Sequence, residues 1–307
     1  HLYGKITDPL LVGSYKNCKI SFLSGDAQTA CIPRSPKSEG GKFARITLGT
    51  GAFLSAEVDN VIKYPQGFYL TIGSGQIDNV RSHLLEVNYP ECGTLIDNLL
   101  KLGAIKTYED INAALEISNS VELPDLVFLI PRSKNMKHLL DNFGVKNTLL
   151  IPRKYEEAFS SGTVTDFHKA LIIRSVFMMI AFIVKVMISN YEKSYGPELK
   201  VISCMGNVTK TQWLMEYIAS LIRGRVSLEC FEELGSVGSA IGTAYSSGLY
   251  KSIKEASTVF YATLKDETRI FSSKPRWRNE SDSEFGRWLS LLRNEDFTTN
   301  YFTLDFD

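Results

Sequence analysis

The chain has 307 residues, of which 44% are apolar, so it can bury a sizeable core as two ordinary domains or as one domain with attachments. Its 34 Lys and Arg residues balance its 34 Asp and Glu residues, and the formal net charge is zero. This balance gives no reason to expect nucleic acid or an anionic membrane as the main partner.

The cysteines and the apolar runs indicate the cellular setting. Five cysteines are scattered without a C-x-x-C pair, which indicates neither a zinc site nor a full disulfide framework and favours a reduced, cytoplasmic setting. The longest apolar run, residues 176–184, is far shorter than the ~20 residues that span a bilayer. No secretory signal is visible. We therefore expect a cytoplasmic protein without a membrane span, and a fragment or processed chain because it starts at His1 without an initiator Met.

Strand patterns dominate the first third of the chain. Residues 19–23 predict a short strand, and a helical turn or two follows Asp26. The turn-rich stretch 33–41 is the predicted domain boundary. Three β-like runs come next, at residues 43–57, 67–74 and 79–88, and we expect them to form an antiparallel meander.

Helices and strands then alternate. Helical patterns cover residues 90–103, 108–117, 166–192, 209–223, 236–248 and 285–293, and strand patterns cover residues 126–131, 149–152, 200–204 and 225–228. The longest helix is apolar nearly all round, so we expect it to be buried on several sides. This order predicts an α/β fold with a mixed sheet and helices on both faces.

Two features of the sequence predict a ligand site. The turn Gly49-Thr50-Gly51 joins two β-prone runs, as in a hairpin. Glycine allows positive φ and the close approach of an anion, and the turn amides with the Thr50 hydroxyl could hold a phosphate. Asp26 lies at the end of a strand, where ligands of α/β folds gather. The alternatives are a tight hairpin without a ligand and a helix cap formed by Asp26 or Ser24.

Four tracts, in this order, resemble the FGGY family of carbohydrate kinases and, within it, the glycerol kinases. They are residues 25–28 (family pattern G-D-Q-Q), residues 47–53 (Y-G-T-G-x-F), residues 199–215 (a strand, a D-G-G turn and an N-N-x-L-M helix) and residues 235–249 (A-L-G-A-A-x-x-A-G-L). The Gly67-Phe68-Tyr69 segment also resembles a divergent animal branch of the glycerol kinases. The combination is far more specific than any single tract.

The resemblance implies an actin-like ATPase (RNase H-like) fold with two domains and a cleft between them. On this basis residues 1–41 are the end of the first kinase domain and residues 42–307 are the second, C-terminal domain. The implied activity is transfer of the ATP γ-phosphate to a hydroxyl of a polyol such as glycerol, with Mg²⁺ as cofactor. The implied partner is the chain's own N-terminal kinase domain, a homo-oligomer is compatible, and the fragment alone is expected to be inactive.

The resemblance also assigns roles to residues. Asp26 matches the catalytic base that contacts the polyol, and Phe53 matches the aromatic residue that packs against the polyol carbons. The nucleotide site is assigned to Gly49, Thr50, Gly51, Gly93, Gly206 and Asn207. No protein ligand to a metal is assigned.

Several positions depart from the family pattern. Ala27 replaces a substrate-contacting Gln, Asp97 places a negative charge near the nucleotide, Asn207 replaces the second glycine of D-G-G, and Thr211-Gln212 replaces N-N. The G-L-x-A-P-x-W-D tract, expected near residues 132–141, is not recognisable. The alternative function is therefore a catalytically degenerate kinase-like domain that is kept for binding or assembly.

Overall fold

The protein is described here by a computed structural model that covers residues 13–16, 18–20, 26–35, 42–58, 65, 67–77, 80–131, 147–196, 199–263, 267–293 and 300–306. The expected A-P-x-W-D region at residues 132–141, and Gly25 of the first family tract, lie outside these residues.

The described part of the chain contains twelve strands and nine α-helices. The strands are β1 (Gly13–Tyr15), β2 (Cys18–Ile20), β3 (Ala44–Leu48), β4 (Ala52–Val58), β5 (Tyr69–Ile77), β6 (Val80–Tyr89), β7 (Phe128–Pro131), β8 (Asn147–Pro152), β9 (Val201–Met205), β10 (Arg225–Leu228), β11 (Arg269–Ser272) and β12 (Tyr301–Asp305). The helices are α1 (Asp26–Ala30), α2 (Gly93–Lys101), α3 (Asp110–Ser118), α4 (Glu156–Ser160), α5 (Asp166–Tyr195), α6 (Gln212–Leu221), α7 (Leu234–Ser246), α8 (Ile253–Thr263) and α9 (Pro275–Arg293).

Seven strands form one mixed sheet in the order β11-β10-β9-β3-β4-β6-β5. β3, β9 and β10 run parallel to one another, whereas β4, β6, β5 and β11 are antiparallel to their neighbours. Because β3, β9 and β10 point the same way, the loops that follow them meet at one edge of the sheet, which we call the carboxyl edge. The predicted α/β fold with a mixed sheet is confirmed.

The predicted meander order is wrong. The three runs do form antiparallel strands, but β6 lies between β4 and β5. The pairs Leu54–Val87 and Ala56–Leu85 join β4 to β6, and all four side chains are buried. β5 exposes Tyr69 and Leu70 and is therefore suited to the sheet edge, where side chains meet water.

The two faces of the sheet are covered by different helices. Alternate residues such as Ile46 and Leu54 point toward α5 and α6, in the main apolar core. The residues between them, such as Ser55, point to the opposite face, where Ser55 contacts Cys31 just after α1. α1 packs against α7, and α7 packs against α8. We call this opposite side the α1/α7 face.

Helix α5 is the central element of the core. It contacts α3, α6, β4 and β7, and its middle is buried all round, as predicted. By length and hydropathy this helix could cross a membrane, but 89% of its most apolar window is buried inside the protein. It therefore serves as a core helix in this fold.

A three-stranded sheet lies on the other side of α5, in the order β12-β8-β7, and β1 pairs with β2 in a separate two-stranded sheet. The long helix α9 packs against α6 and β7, and the Trp288 indole donates a hydrogen bond to the Leu129 carbonyl oxygen at 2.9 Å. Five elements went unrecognised in the sequence, namely β1, α4, α8, β11 and β12. Helix α9 also begins ten residues before its predicted start at residue 285.

Candidate functional site at the carboxyl edge of the sheet

The predicted hairpin exists, and its turn is Gly49-Thr50-Gly51 between β3 and β4. The Gly49 N–H donates to the Gly51 carbonyl oxygen at 3.0 Å. Neither glycine has a positive φ, so the conformational reason that we gave for them does not apply. Gly51 is required instead by a close neighbour, because a Cβ there would lie 2.7 Å from the Tyr89 carbonyl oxygen, whereas a Cβ on Gly49 would meet open space.

The start of α2 closes on this turn. The Cys92 N–H donates to the Thr50 carbonyl oxygen and the Gly93 N–H to the Gly49 carbonyl oxygen, each at 2.8 Å. A Cβ on Gly93 would lie 2.7 Å from the Gly49 carbonyl oxygen, so no larger residue fits without moving the turn. The sequence-predicted residues Gly49, Thr50 and Gly93 are therefore in direct contact.

These contacts use the carbonyl groups of the turn and leave donors on its other side. The Thr50 side chain is exposed. Its hydroxyl, its amide and the Gly51 amide have no hydrogen-bond partner among the described residues. Two amides and a hydroxyl at one bend form a donor set for an anion such as a phosphate.

The loop after β9 packs against the end of β3. Gly206 has φ of +103°, and a Cβ there would lie 2.7 Å from the Leu48 carbonyl carbon. Both the backbone conformation and the close approach therefore require glycine. Asn207 follows as the first residue of a short 3₁₀ helix and is exposed. Gly206 thus lies against Leu48, the residue directly before the 49–51 turn, and Asn207 follows it in sequence.

Phe53 is placed at the same end of the sheet, on the α1/α7 face. It pairs with Thr47 on β3 and with Asn88 on β6, and 41% of its surface is exposed. A large exposed aromatic ring between a hydroxyl and an amide can pack against C–H groups of a ligand whose polar groups bind its neighbours.

Asp26 is the exposed first residue of α1. Helix α7 approaches it at Gly235, whose Cβ position would lie 3.9 Å from the Asp26 carbonyl oxygen. Gly235 is the second residue of α7, and α7 follows β10, so this point is near the carboxyl edge. The topology therefore puts Asp26 on the same edge and the same face as Phe53.

A buried ionic network connects β3, β9 and the residue that follows β10, and the sequence analysis did not predict it. Arg45 is 2% exposed and donates to Ser203 Oγ at 3.0 Å and to the Pro33 carbonyl oxygen at 2.8 Å. Its partner Glu229 also accepts hydrogen bonds from Ser203 and Tyr261. The available signal was a lone arginine inside an otherwise alternating apolar strand.

Two of the positions that depart from the family pattern, Asp97 and Gln212, form side-chain hydrogen bonds. Asp97, one turn after Gly93, is exposed and accepts a hydrogen bond from the Tyr108 hydroxyl at 2.6 Å. That hydrogen bond raises the pKa of Tyr108 above its usual range. Gln212 is hydrogen-bonded to Glu216 within α6.

A metal ion held by the protein alone needs several donor side chains that lie close together. The described residues contain no group of three or more His, Cys, Asp or Glu side chains that could hold a metal ion. Mg²⁺ commonly binds through one or two carboxylates together with substrate phosphates. In this part of the chain a magnesium ion fits only as a companion of a bound nucleotide.

Comparison with known proteins identifies the class. No family model matches the chain. Among solved structures, the fold is similar to that of Plasmodium falciparum glycerol kinase with ADP (TM-score 0.71, 21% identity, 92% of this chain and 53% of that chain). It is also similar to a xylulose kinase from Brucella ovis (TM-score 0.69, 13% identity, 93% and 55%). The chain therefore has the actin-like ATPase fold of the FGGY sugar kinases.

Sequence similarity points to one branch of that class. Glycerol kinase of Bacillus subtilis is 23% identical over 281 residues, which cover 91% of this chain and 52% of the relative. Glycerol kinase of Bacillus velezensis is 23% identical over 295 residues, which cover 95% and 54%. The chain spans about half the length of the curated relatives it matches. The resemblance to the C-terminal half of FGGY carbohydrate kinases, and to the glycerol kinases among them, is confirmed as that of a divergent relative.

Proposed function

We propose that this chain is the C-terminal half of an ATP-dependent carbohydrate kinase that phosphorylates a polyol such as glycerol. Residues 42–307 are then the second kinase domain, residues 1–41 are the end of the first, and the chain's own N-terminal domain supplies the other wall of the cleft. The half-length match to glycerol kinases supports this arrangement. We further propose that the full-length enzyme is cytoplasmic; a homo-oligomer is compatible with this proposal.

The observation that carries the proposal is the donor set of the 49–51 turn. Phosphoryl transfer requires mainly that the protein position the phosphates and stabilise their charge. The Thr50 hydroxyl and amide and the Gly51 amide are available for ATP phosphates, while the carbonyl oxygens of the turn are bonded to α2. Two further segments lie close to this turn: the start of α2, which contains Gly93, and the loop after β9, which contains Gly206 and Asn207. Mg²⁺ would arrive with the phosphates and reduce their charge.

The polyol is assigned to the α1/α7 face. Phe53 would pack against its carbon atoms, and the Asp26 carboxylate would accept the proton of the attacking hydroxyl. The hydroxyl oxygen then forms a bond to the γ-phosphorus as the bond to the β-phosphate oxygen breaks and ADP leaves. A general base of this kind is worth about 10²–10⁴-fold in rate.

The test measures the rate of ADP release by the full-length parent protein in the presence of MgATP and glycerol. Asp26→Asn, which keeps the size of the side chain but removes its basicity, is expected to lower kcat by about 10²-fold or more. Affinity for MgATP, measured by thermal shift, should stay near that of the wild type. A parent that shows neither a thermal shift with MgATP nor polyol-dependent ADP release would overturn the proposal.

A second candidate function is a degenerate kinase-like domain that binds without catalysis. The exposed Asp97 carboxylate one turn from Gly93 favours it, because a negative charge close to phosphates weakens their binding. A parent in which Asp97→Gln restores MgATP binding, while no polyol is phosphorylated, would support this second function.

A further inference from the structure

We infer that Gly238 of α7 is a positioning residue that fixes helix α1 and thereby the Asp26 carboxylate. This inference rests on the proposed function, in which Asp26 is the base. It concerns a residue that does not itself touch the substrate.

The contact between α7 and α1 leaves no room for a side chain at residue 238. A Cβ on Gly238 would lie 2.8 Å from the Thr29 carbonyl carbon and 3.0 Å from Thr29 Cγ2, and closer still to the carbonyl oxygen. The backbone of Thr29 cannot rotate away as a flexible side chain could, because its carbonyl oxygen accepts a hydrogen bond from the Ile32 N–H at 3.1 Å. Any side chain at residue 238 must therefore displace α1 itself.

The segment after α1 is held at its other end. The Pro33 carbonyl oxygen accepts a hydrogen bond from the buried Arg45 at 2.8 Å. Arg34 forms an ion pair with Glu57 on β4, and its N–H donates to Ser257 Oγ on α8 at 3.1 Å. Because residues 33 and 34 are attached to three separate elements, a push at Thr29 moves the helix start, where Asp26 lies, rather than the helix end.

Gly235 provides a matched comparison on the same helix. It lies one turn before Gly238 and faces the same partner, yet its Cβ position is 3.9 Å from the Asp26 carbonyl oxygen, an ordinary contact distance. Replacing either glycine by alanine is expected to raise the helix propensity of α7. Only the substitution at residue 238 moves α1.

The experiment is steady-state kinetics on the full-length parent with Gly238→Ala and Gly235→Ala. A displacement of about 1 Å at a catalytic group can cost about 10²-fold, so Gly238→Ala should lower kcat by about 10²-fold. Its KM for MgATP should not change, since the 49–51 turn is not touched. Gly235→Ala should keep the kcat of the wild type. A purely structural role of Gly238 would lower thermal stability without this separation of kcat from KM.

Further variants separate the possible failures. If Gly238→Ala does not fold, Arg34→Met is used in its place. This variant removes the partly exposed ion pair with Glu57 that holds the segment after α1. It should lower kcat without changing the KM for MgATP. A wild-type kcat in Gly238→Ala overturns the inference. If Gly238→Ala does not fold, a wild-type kcat in Arg34→Met overturns it. A loss of kcat in Gly235→Ala equal to that in Gly238→Ala also overturns it. If the parent is active and Asp26→Asn is inactive while Gly238→Ala equals the wild type, the inference alone fails. An inactive wild-type parent overturns the proposed function as well.

Discussion

Arg45 and Glu229 form an ion pair with almost no exposure to water, at 2% and 0% of their side-chain surface. Because both charges are desolvated, removing one leaves the other buried without an opposite charge, which typically costs about 3–5 kcal/mol. Arg45→Ala should therefore reduce the free energy of unfolding by about that amount in urea titrations. Arg153→Ala is the control, because its ion pair with Glu156 is roughly half exposed and should be worth less than about 1 kcal/mol. Equal losses in the two variants would contradict the role given to burial.

Two buried thiols predict a loss of stability at high pH. Burial raises the pKa of Cys92 and of Cys204 from 9.0 to about 12. Between these values the unfolded chain has lost protons that the folded chain keeps, so the free energy of unfolding falls as pH rises. The slope is about 1.4 kcal/mol per pH unit for each thiol. Urea titrations between pH 8 and 11 measure it.

Substitution separates these thiols from other groups that titrate in the same range. Cys204→Ala should reduce the slope between pH 9 and 11, although it also lowers stability by leaving a cavity. Val226→Ala leaves a cavity in the neighbouring strand without removing a thiol and should keep the slope of the wild type. A slope unchanged in Cys204→Ala would show that this thiol does not link stability to pH.

The sequence correctly indicated individual glycines at the site, but the reason inferred for some of them was wrong. A G-T-G turn suggests positive φ, but Gly49 and Gly51 do not adopt it, whereas Gly206 does. Gly93 is required because a Cβ there would lie 2.7 Å from the Gly49 carbonyl oxygen of the turn. Such a requirement depends on elements more than forty residues away, so the local pattern cannot reveal it.

At the scale of the element, α5 is capped by Thr165. Its side chain accepts a hydrogen bond from the backbone at the third helical position, and His168 Nδ1 accepts one in return from the Thr165 N–H at 3.1 Å. Thr165 is exposed, so substitution there leaves the core intact. Thr165→Ala should lower the free energy of unfolding by about 1 kcal/mol, while Thr165→Ser keeps the cap and the stability. A serine variant as unstable as the alanine variant would contradict the capping role.

Elements with strong apolar periodicity were predictable, and elements with mixed burial were not. β10 and the start of α5 match their predicted positions. The first half of α9 is mostly polar, and buried polar groups help to hold the helix in place. Glu284 is paired with Arg174 and accepts a hydrogen bond from Tyr217. Periodicity of apolar residues cannot detect a helix that is held in part by an internal ion pair.

At the scale of the whole molecule, the order of the strands decides where the candidate residues meet. The sequence predicts a mixed sheet and a ligand edge, but not that β6 is inserted between β4 and β5. That insertion places Asn88 beside Phe53 and leads directly into the start of α2. Long-range pairing of this kind follows from which faces can be buried together, which a local pattern does not contain.

The most direct measurement is hydrogen–deuterium exchange of the full-length parent with and without MgATP. If ATP phosphates bind the donors at Thr50 and Gly51, exchange should slow in the peptide that contains residues 49–51 and in the one that contains residues 205–210. The edge strand β12 of the three-stranded sheet should exchange at the same rate in both conditions. Nucleotide binding that leaves the 49–51 peptide unprotected would contradict the account.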